Sequence, residues 1–219
     1  MCGVIGVLRR RSARPVPDAA AQLAALSAAS VALRRGVAGL EAATAEIAGV
    51  DRALRTVPGV ALLVRDPVLR DAIGAEVAAL EAAIATLESA LDLGTADRAD
   101  RTLEQVNAAV IACKDAIWAV GHDRLGTAAA VAALAGAAPG DAAVEAYLSI
   151  QIALAGLDRL EVRGRDSAGL HVLVTGHRID PDDPDLGPRV VDALFTSGAV
   201  RAVEGALSFV YKAAPASYA

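Results

Sequence analysis

Aromatic residues are scarce. Phe, Trp and Tyr make up 3% of the 219 residues, with a single Trp. No element can rest on large aromatic anchors. The two cysteines, Cys2 and Cys113, stand far apart. They make no disulfide framework and suit a reduced, cytoplasmic setting. Charge of one sign is not concentrated either. The net charge is −5, with both signs interspersed. No Lys/Arg stripe is long enough for a nucleic-acid surface, and Arg9-Arg10-Arg11 reads as a solvated turn. Long hydrophobic runs are also missing. The longest uncharged stretch, Leu125 to Gly140, is rich in alanine and glycine, too short and too weakly apolar to span a bilayer. The chain starts apolar and then turns basic, the reverse of a secretory signal.

What is abundant is alanine. Apolar residues reach 55%, ample for a core, and alanine is the strongest helix former. The composition therefore leans helical before any pattern is read. Asp18 can cap a first helix. Apolar positions then recur at Leu23, Leu26, Leu33, Val37, Leu40, Ile47 and Leu54, with Ser30, Thr44 and Asp51 filling places in the same rhythm. The alternating spacing of three and four is a coiled-coil seam. Gly36, Gly39 and Gly49 weaken it, and Thr56-Val57-Pro58-Gly59 ends it. Val60 to Val64 fits helix or strand, and Pro67 bars a long helix through that point.

The rhythm resumes at Ile73, Val77, Leu80, Ile84, Leu87 and Leu91, with Gly94 as a stop and Thr95 as the next cap. A third set runs Leu103, Val106, Val110, Cys113, Ile117 and Val120. Cys113 falls on this seam and reads as a small core residue. Asn107 lies off it, facing solvent. His122 reads as a partner for the C-terminal dipole of this helix. A shorter helix covers Arg124 to Ala135. Residues 18–136 thus read as three or four antiparallel helices, an arrangement suited to structure or partner contact.

Asp141 caps a further helix carrying Val144, Leu148, Ile152, Leu157 and Leu160. It runs into Glu161-Val162-Arg163-Gly164-Arg165-Asp166-Ser167-Ala168-Gly169. Leu170, Val172 and Val174 then alternate with His171 and Leu173, a strand pattern. Gly164 and Gly169 allow a tight turn, Arg163 offers a fixed fork of donors, and Asp166 and Ser167 can stiffen the loop locally. Asp180 to Pro188 is an acidic, proline-rich solvated loop with no paired ligands for a metal. Val190 to Leu194 and Gly205 to Ala214 read as helices or a helix–strand pair.

The N-terminus carries the chemistry. Met1-Cys2-Gly3-Val4-Ile5-Gly6-Val7-Leu8 places a cysteine directly after the initiator methionine, followed by an apolar run that suits a buried strand. Removal of Met1 would leave Cys2 with both a thiol and a free α-amine. The amine titrates at about 7.7–8.0 and the thiol at about 8.5, so the amine can take the thiol's proton.

Met1 to Gly6 together with Leu157 to Leu170 resembles the N-terminal glutaminase domain of glutamine–fructose-6-phosphate aminotransferase (glucosamine-6-phosphate synthase), a class II amidotransferase of the N-terminal-nucleophile (Ntn) hydrolase type. The family pattern is a Cys-Gly-Ile/Val-Val/Ile-Gly start and a later Leu-Glu-Tyr-Arg-Gly-Tyr-Asp-Ser-Ala-Gly. The two tyrosines of that pattern are here Val162 and Arg165. The match covers about residues 2–9 and 145–175.

This resemblance implies an α+β fold. A partial Ntn αββα sandwich, residues 1–14 and 141–219, would be interrupted by a coiled-coil-like helical insertion, residues 15–140. Cys2 would be the catalytic nucleophile, Arg163 and Gly164 would face the substrate, and Asp166 and Ser167 would support the loop. The implied partners are L-glutamine and, through sugar-isomerase domains outside this chain, fructose 6-phosphate. No cofactor, metal, nucleic acid or membrane is implied. Three departures stand beside the match. Over a hundred residues separate the two motifs, tolerable because loop closure cost grows slowly with length. The family's Arg-Trp-Ala-Thr-His and Asn-Gly segments and its later substrate-amine Asp are not in this sequence: Trp118 follows Ile117, and Ala108 follows Asn107, the only asparagine. The isomerase domains are absent. The chain alone is therefore expected to be an incomplete glutaminase. The alternative is a non-catalytic scaffold or homo-oligomerisation protein built on the helical insertion.

Overall fold

The computed structural model describes residues 4–9, 11–98, 100–160, 168–177, 180, 193 and 197–213. The chain is α+β and mostly helical, with one small antiparallel sheet. It divides into two compact units, Arg9–Gln151 and a discontinuous unit of Met1–Leu8 with Ile152–Ala219.

In the helical unit, α1 (Ala19–Leu33) begins where the Asp18 carboxylate accepts a hydrogen bond from the Ala21 amide at 2.9 Å. Such a cap contributes about 1 kcal/mol. The heptad rhythm predicts that this helix continues past residue 50. It does not. A 3₁₀ turn at Gly36–Gly39 reverses the chain into α2 (Leu40–Leu54), which packs back on α1. Gly36 takes a positive φ of 65°, and a Cβ on Gly39 would collide with the Ala32 carbonyl. The two glycines thus make a hairpin whose two arms share one buried seam: Leu26, Leu33, Val37, Leu40, Ile47 and Leu54 are all in the core.

The ambiguous stretch is helical: α3 runs Val57–Arg65, capped by the Thr56 hydroxyl on the Gly59 amide at 3.1 Å. Asp66 caps α4 (Pro67–Asp92), and Pro67 occupies the first turn, where its missing N–H costs nothing. Val77, Leu80 and Ile84 line its buried face. Gly94 ends it with a φ of 68°. The next cap is Thr102 rather than Thr95, because Thr102 and Gln105 form a reciprocal capping box. It opens α5 (Leu103–Trp118). A π-helical segment, Ala119–Leu125, carries α5 straight into α6 (Gly126–Ala135). His122 is therefore inside a continuous helical run, not at a C-terminus as the sequence suggested. The wider turn resets the helical phase, so Val120, Ala128 and Val131 all reach the core. Six helices stand between residues 19 and 135 where three or four were expected.

Two of the three polar residues on the apolar seam, Asp51 and Thr44, find partners inside the bundle. The Arg124 guanidinium holds the half-buried Asp51 carboxylate at 2.8 Å, tying the π segment to α2. The Thr44 hydroxyl donates to the Leu40 carbonyl. Ser30 buries its hydroxyl without a hydrogen-bond partner. The last helix, α7 (Asp141–Leu160), starts at an Arg65–Asp141 ion pair of 2.6 Å and buries Val144 and Leu148. The boundary between the units falls within it.

The second unit holds β1 (Ala168–Thr175), β2 (Val200–Val203) and β3 (Ala206–Ala213), ordered β1-β3-β2, all antiparallel. The alternating pattern predicts β1 correctly. Residues 206–213 are a strand and Gly205 is in a turn: Glu204 and Gly205 both have positive φ, the geometry of a tight hairpin. Val190–Leu194 and the acidic loop lie outside the described residues, apart from Ala193 and Asp180. The apolar run at residues 4–8 is not the buried strand that the sequence suggests. It pairs with none of the three strands, and Val4 and Leu8 are exposed. Val7 is half-buried, and the side chain of the exposed Ile5 touches Gly156 of α7. A short apolar run becomes a strand only where a neighbour offers its hydrogen bonds.

Glycine positions give a direct test. Gly39→Ala should destabilise the helical unit by about 1–3 kcal/mol, since the backbone of α1 blocks the added methyl. Gly126→Ala meets no atom within 4 Å and should stabilise by about 0.5–1 kcal/mol. Chemical denaturation followed by helical circular dichroism measures both.

Candidate functional site

Every residue that the sequence singles out for chemistry, Cys2, Arg163, Gly164, Asp166 and Ser167, lies outside the described residues. Their surroundings are partly described. α7 ends at Leu160 and β1 starts at Ala168, so the Arg163-Gly164 motif is the connection between them. Gly169 sits in β1 opposite Lys212 rather than in a turn. A Cβ there would lie 3.5 Å from the Tyr211 carbonyl oxygen, an ordinary contact. The strand itself does not demand a glycine at that position. At the other motif, Ile5 rests on Gly156, within the same compact unit. A side chain at residue 156 would displace it.

One nucleophile–base geometry occurs among the described residues, and sequence reading missed it. The His171 imidazole Nε2 on β1 is hydrogen-bonded to the Ser208 hydroxyl on β3 at 2.9 Å. The two belong to one face of the sheet, since His171 is opposite Val210 and Leu173 is opposite Ser208. The alternation of His171 with apolar neighbours was the available signal. Such a pair could move a proton, but among the described residues nothing orients the second imidazole nitrogen, as a working hydroxyl nucleophile requires. Its evident work is to tie the two strands together.

In the helical unit, Cys113 is fully buried, in the core position the sequence predicts. Burial raises its thiol pKa, and a hydrogen bond with Thr44 opposes that only in part. A thiol held protonated and out of solvent is a poor nucleophile. Asn107 is exposed on α5, as expected. Trp118, also exposed, stacks on His122 with ring centroids 4.3 Å apart and planes 12° from parallel. The four-residue spacing that brings them together was legible in the sequence. Among the described residues no group of three His, Cys, Asp or Glu side chains could hold a metal, and no helix is long and apolar enough to cross a membrane.

No protein-family model, curated protein or solved structure matches the chain. What is established is its class, an α+β protein with a helical unit and a small antiparallel sheet.

The raised thiol pKa of Cys113 has a thermodynamic consequence. A folded-state pKa above the unfolded value stabilises the fold fully below the unfolded pKa, and that stability is lost as pH rises through the folded value. Denaturation midpoints should therefore fall as pH climbs above the ordinary thiol range, and Cys113→Ala should flatten that alkaline slope. A thiol-reactive dye should modify Cys113 only upon unfolding.

Proposed function

We propose that this chain carries the nucleophile-bearing part of a glutamine-dependent amidotransferase resembling glutamine–fructose-6-phosphate aminotransferase. The observation that carries the reading is the pairing of Cys2-Gly3 at the start with Arg163-Gly164-Arg165-Asp166-Ser167-Ala168-Gly169, whose last two residues open a β-strand. Two further facts support it. The start of the chain and residues 152–219 fall in one compact unit, and Ile5 packs on α7, the helix that leads into the second motif.

The proposed chemistry is simple. With Met1 removed, the Cys2 α-amine takes the thiol proton and the thiolate attacks the carboxamide carbon of glutamine. The C–N bond breaks, the nitrogen takes up a proton and leaves as ammonia, and a glutamyl thioester remains on Cys2. Water then hydrolyses the thioester, releasing glutamate and restoring the thiol. Arg163 and Gly164 hold the substrate, and Asp166 and Ser167 keep the loop in shape. The ammonia would go to fructose 6-phosphate in sugar-isomerase domains outside this chain. An Ntn αββα sandwich belongs to the same proposal, with the sheet β1-β3-β2 as part of one of its layers. The missing Asn-Gly oxyanion donor lowers the expected turnover by about 10²–10³.

A second reading is favoured by one observation. The whole buried core cluster, from Leu26 to Leu148, lies in the helical unit. In that reading the helices are a scaffold for partner contact and the N-terminal motif is idle.

Stoichiometric labelling separates the two. A glutamine analogue with an electrophilic carbon in place of the amide carbon should alkylate Cys2, with mass spectrometry showing Met1 removed. Glutamine should protect Cys2, and buried Cys113 should stay unlabelled. Retained Met1, or labelling no faster than in a free peptide of the same N-terminal sequence, would overturn the amidotransferase reading.

A further inference from the structure

The outer surface of α5 carries an unusual load. Leu103, Ile111 and Trp118 are 59%, 58% and 58% exposed, in a chain with one tryptophan and few aromatics. They recur at eight and seven residues, so they lie along one side of the helix over about 22 Å. The core seam of the same helix, Val106, Val110, Cys113 and Ile117, is fully accounted for by the bundle. The outer stripe is thus a second apolar line, separate from the core.

The arrangement is nearly symmetric about Ile111. Leu103 stands eight residues before it and Trp118 seven after; Asn107 stands four before and Asp115 four after. Asn107 and Asp115 are both exposed. We propose that this stripe is a two-fold interface at which α5 of one copy of the chain packs antiparallel on α5 of a second copy, centred on Ile111. A two-fold contact must be self-complementary: if residue i meets residue j, then j meets i. This stripe satisfies that requirement. Ile111 meets its own copy at the axis. Leu103 of each copy meets Trp118 of the other.

The polar positions also match. Asn107 meets Asp115, where the amide NH₂ can donate to the carboxylate. The amide oxygen is left to accept from the nearby Lys114 ammonium of the second copy, which can turn from its contact with Glu88 at 2.9 Å. Asp115 and its symmetry copy stay eight residues apart along the helix, about 12 Å, so no like charges are forced together. Buried aromatic anchors at such an interface are the side chains that carry most of its energy. Trp118 is already held by its stack on His122, so little side-chain freedom is lost on association.

Sedimentation of the full chain over a range of concentrations tests the proposal. The unaltered chain should be dimeric, and Ile111→Arg, which places two cations at the axis, should raise the dissociation constant at least tenfold. Leu134→Arg, at an exposed apolar residue of α6, should leave the dimer intact. Both variants should retain the helical circular dichroism signal. Ile111→Cys should form a disulfide between copies, whereas Leu134→Cys should not. A chain that stays monomeric at millimolar concentration would overturn the proposal. So would a dimer indifferent to Ile111→Arg, or one that Leu134→Arg disrupts equally.

Discussion

The helical unit depends on backbones coming close together. With an almost wholly aliphatic core, area can be buried only if helices approach tightly along Leu, Ile, Val and Ala surfaces. The hairpin of α1 and α2 shows how this is done. Gly39 lets the turn press on the Ala32 carbonyl, and Ala29, Ala32 and Ala43 of the two arms are buried in the core. Large aliphatic residues on either side then close the seam. Each fully buried Leu, Ile or Val contributes about 1.5–3 kcal/mol relative to exposure. The geometry of one glycine turn therefore governs how much of that gain the bundle collects.

Two polar residues on this seam have partners inside the bundle, one from another helix and one from the same helix. Asp51 lies on the α2 seam but meets Arg124 from the π segment. Thr44 spends its hydroxyl on Leu40 and sits beside Cys113. These contacts select one packing among several that the apolar pattern alone would accept. The π segment belongs to the same logic: a wide turn at Gly121, whose missing side chain accommodates Val77, lets α5 and α6 both face the core.

The proposed chemistry belongs to the other unit of the chain. Its motifs are recognised by residue type and order, not by burial or rhythm, and Cys2 and residues 161–167 lie outside the described residues. What the structure adds is local. The second motif links α7 to β1, and Ile5 of the first touches Gly156. The His171–Ser208 pair, by contrast, belongs to no local motif, because its two residues stand 37 apart in sequence.

Periodicity and capping chemistry determined much by themselves. The helical character, most of the core positions, the stop at Gly94, the cap at Asp18, the break at Pro67 and the strand at Leu170 follow from short-range preferences, which a sequence carries directly; Leu103 and Ile152, read as seam positions, are exposed instead. The tertiary structure decided the rest. A heptad seam looks the same in one long helix and in a hairpin, so only packing revealed that α1 and α2 fold back on each other. An apolar pentapeptide can be a strand or a docked segment, and among the described residues no strand pairs with residues 4–8. Helix phase across residues 119–125 was set by what the core needed on both sides. In each case the deciding partner is distant in sequence, and a local pattern cannot name it.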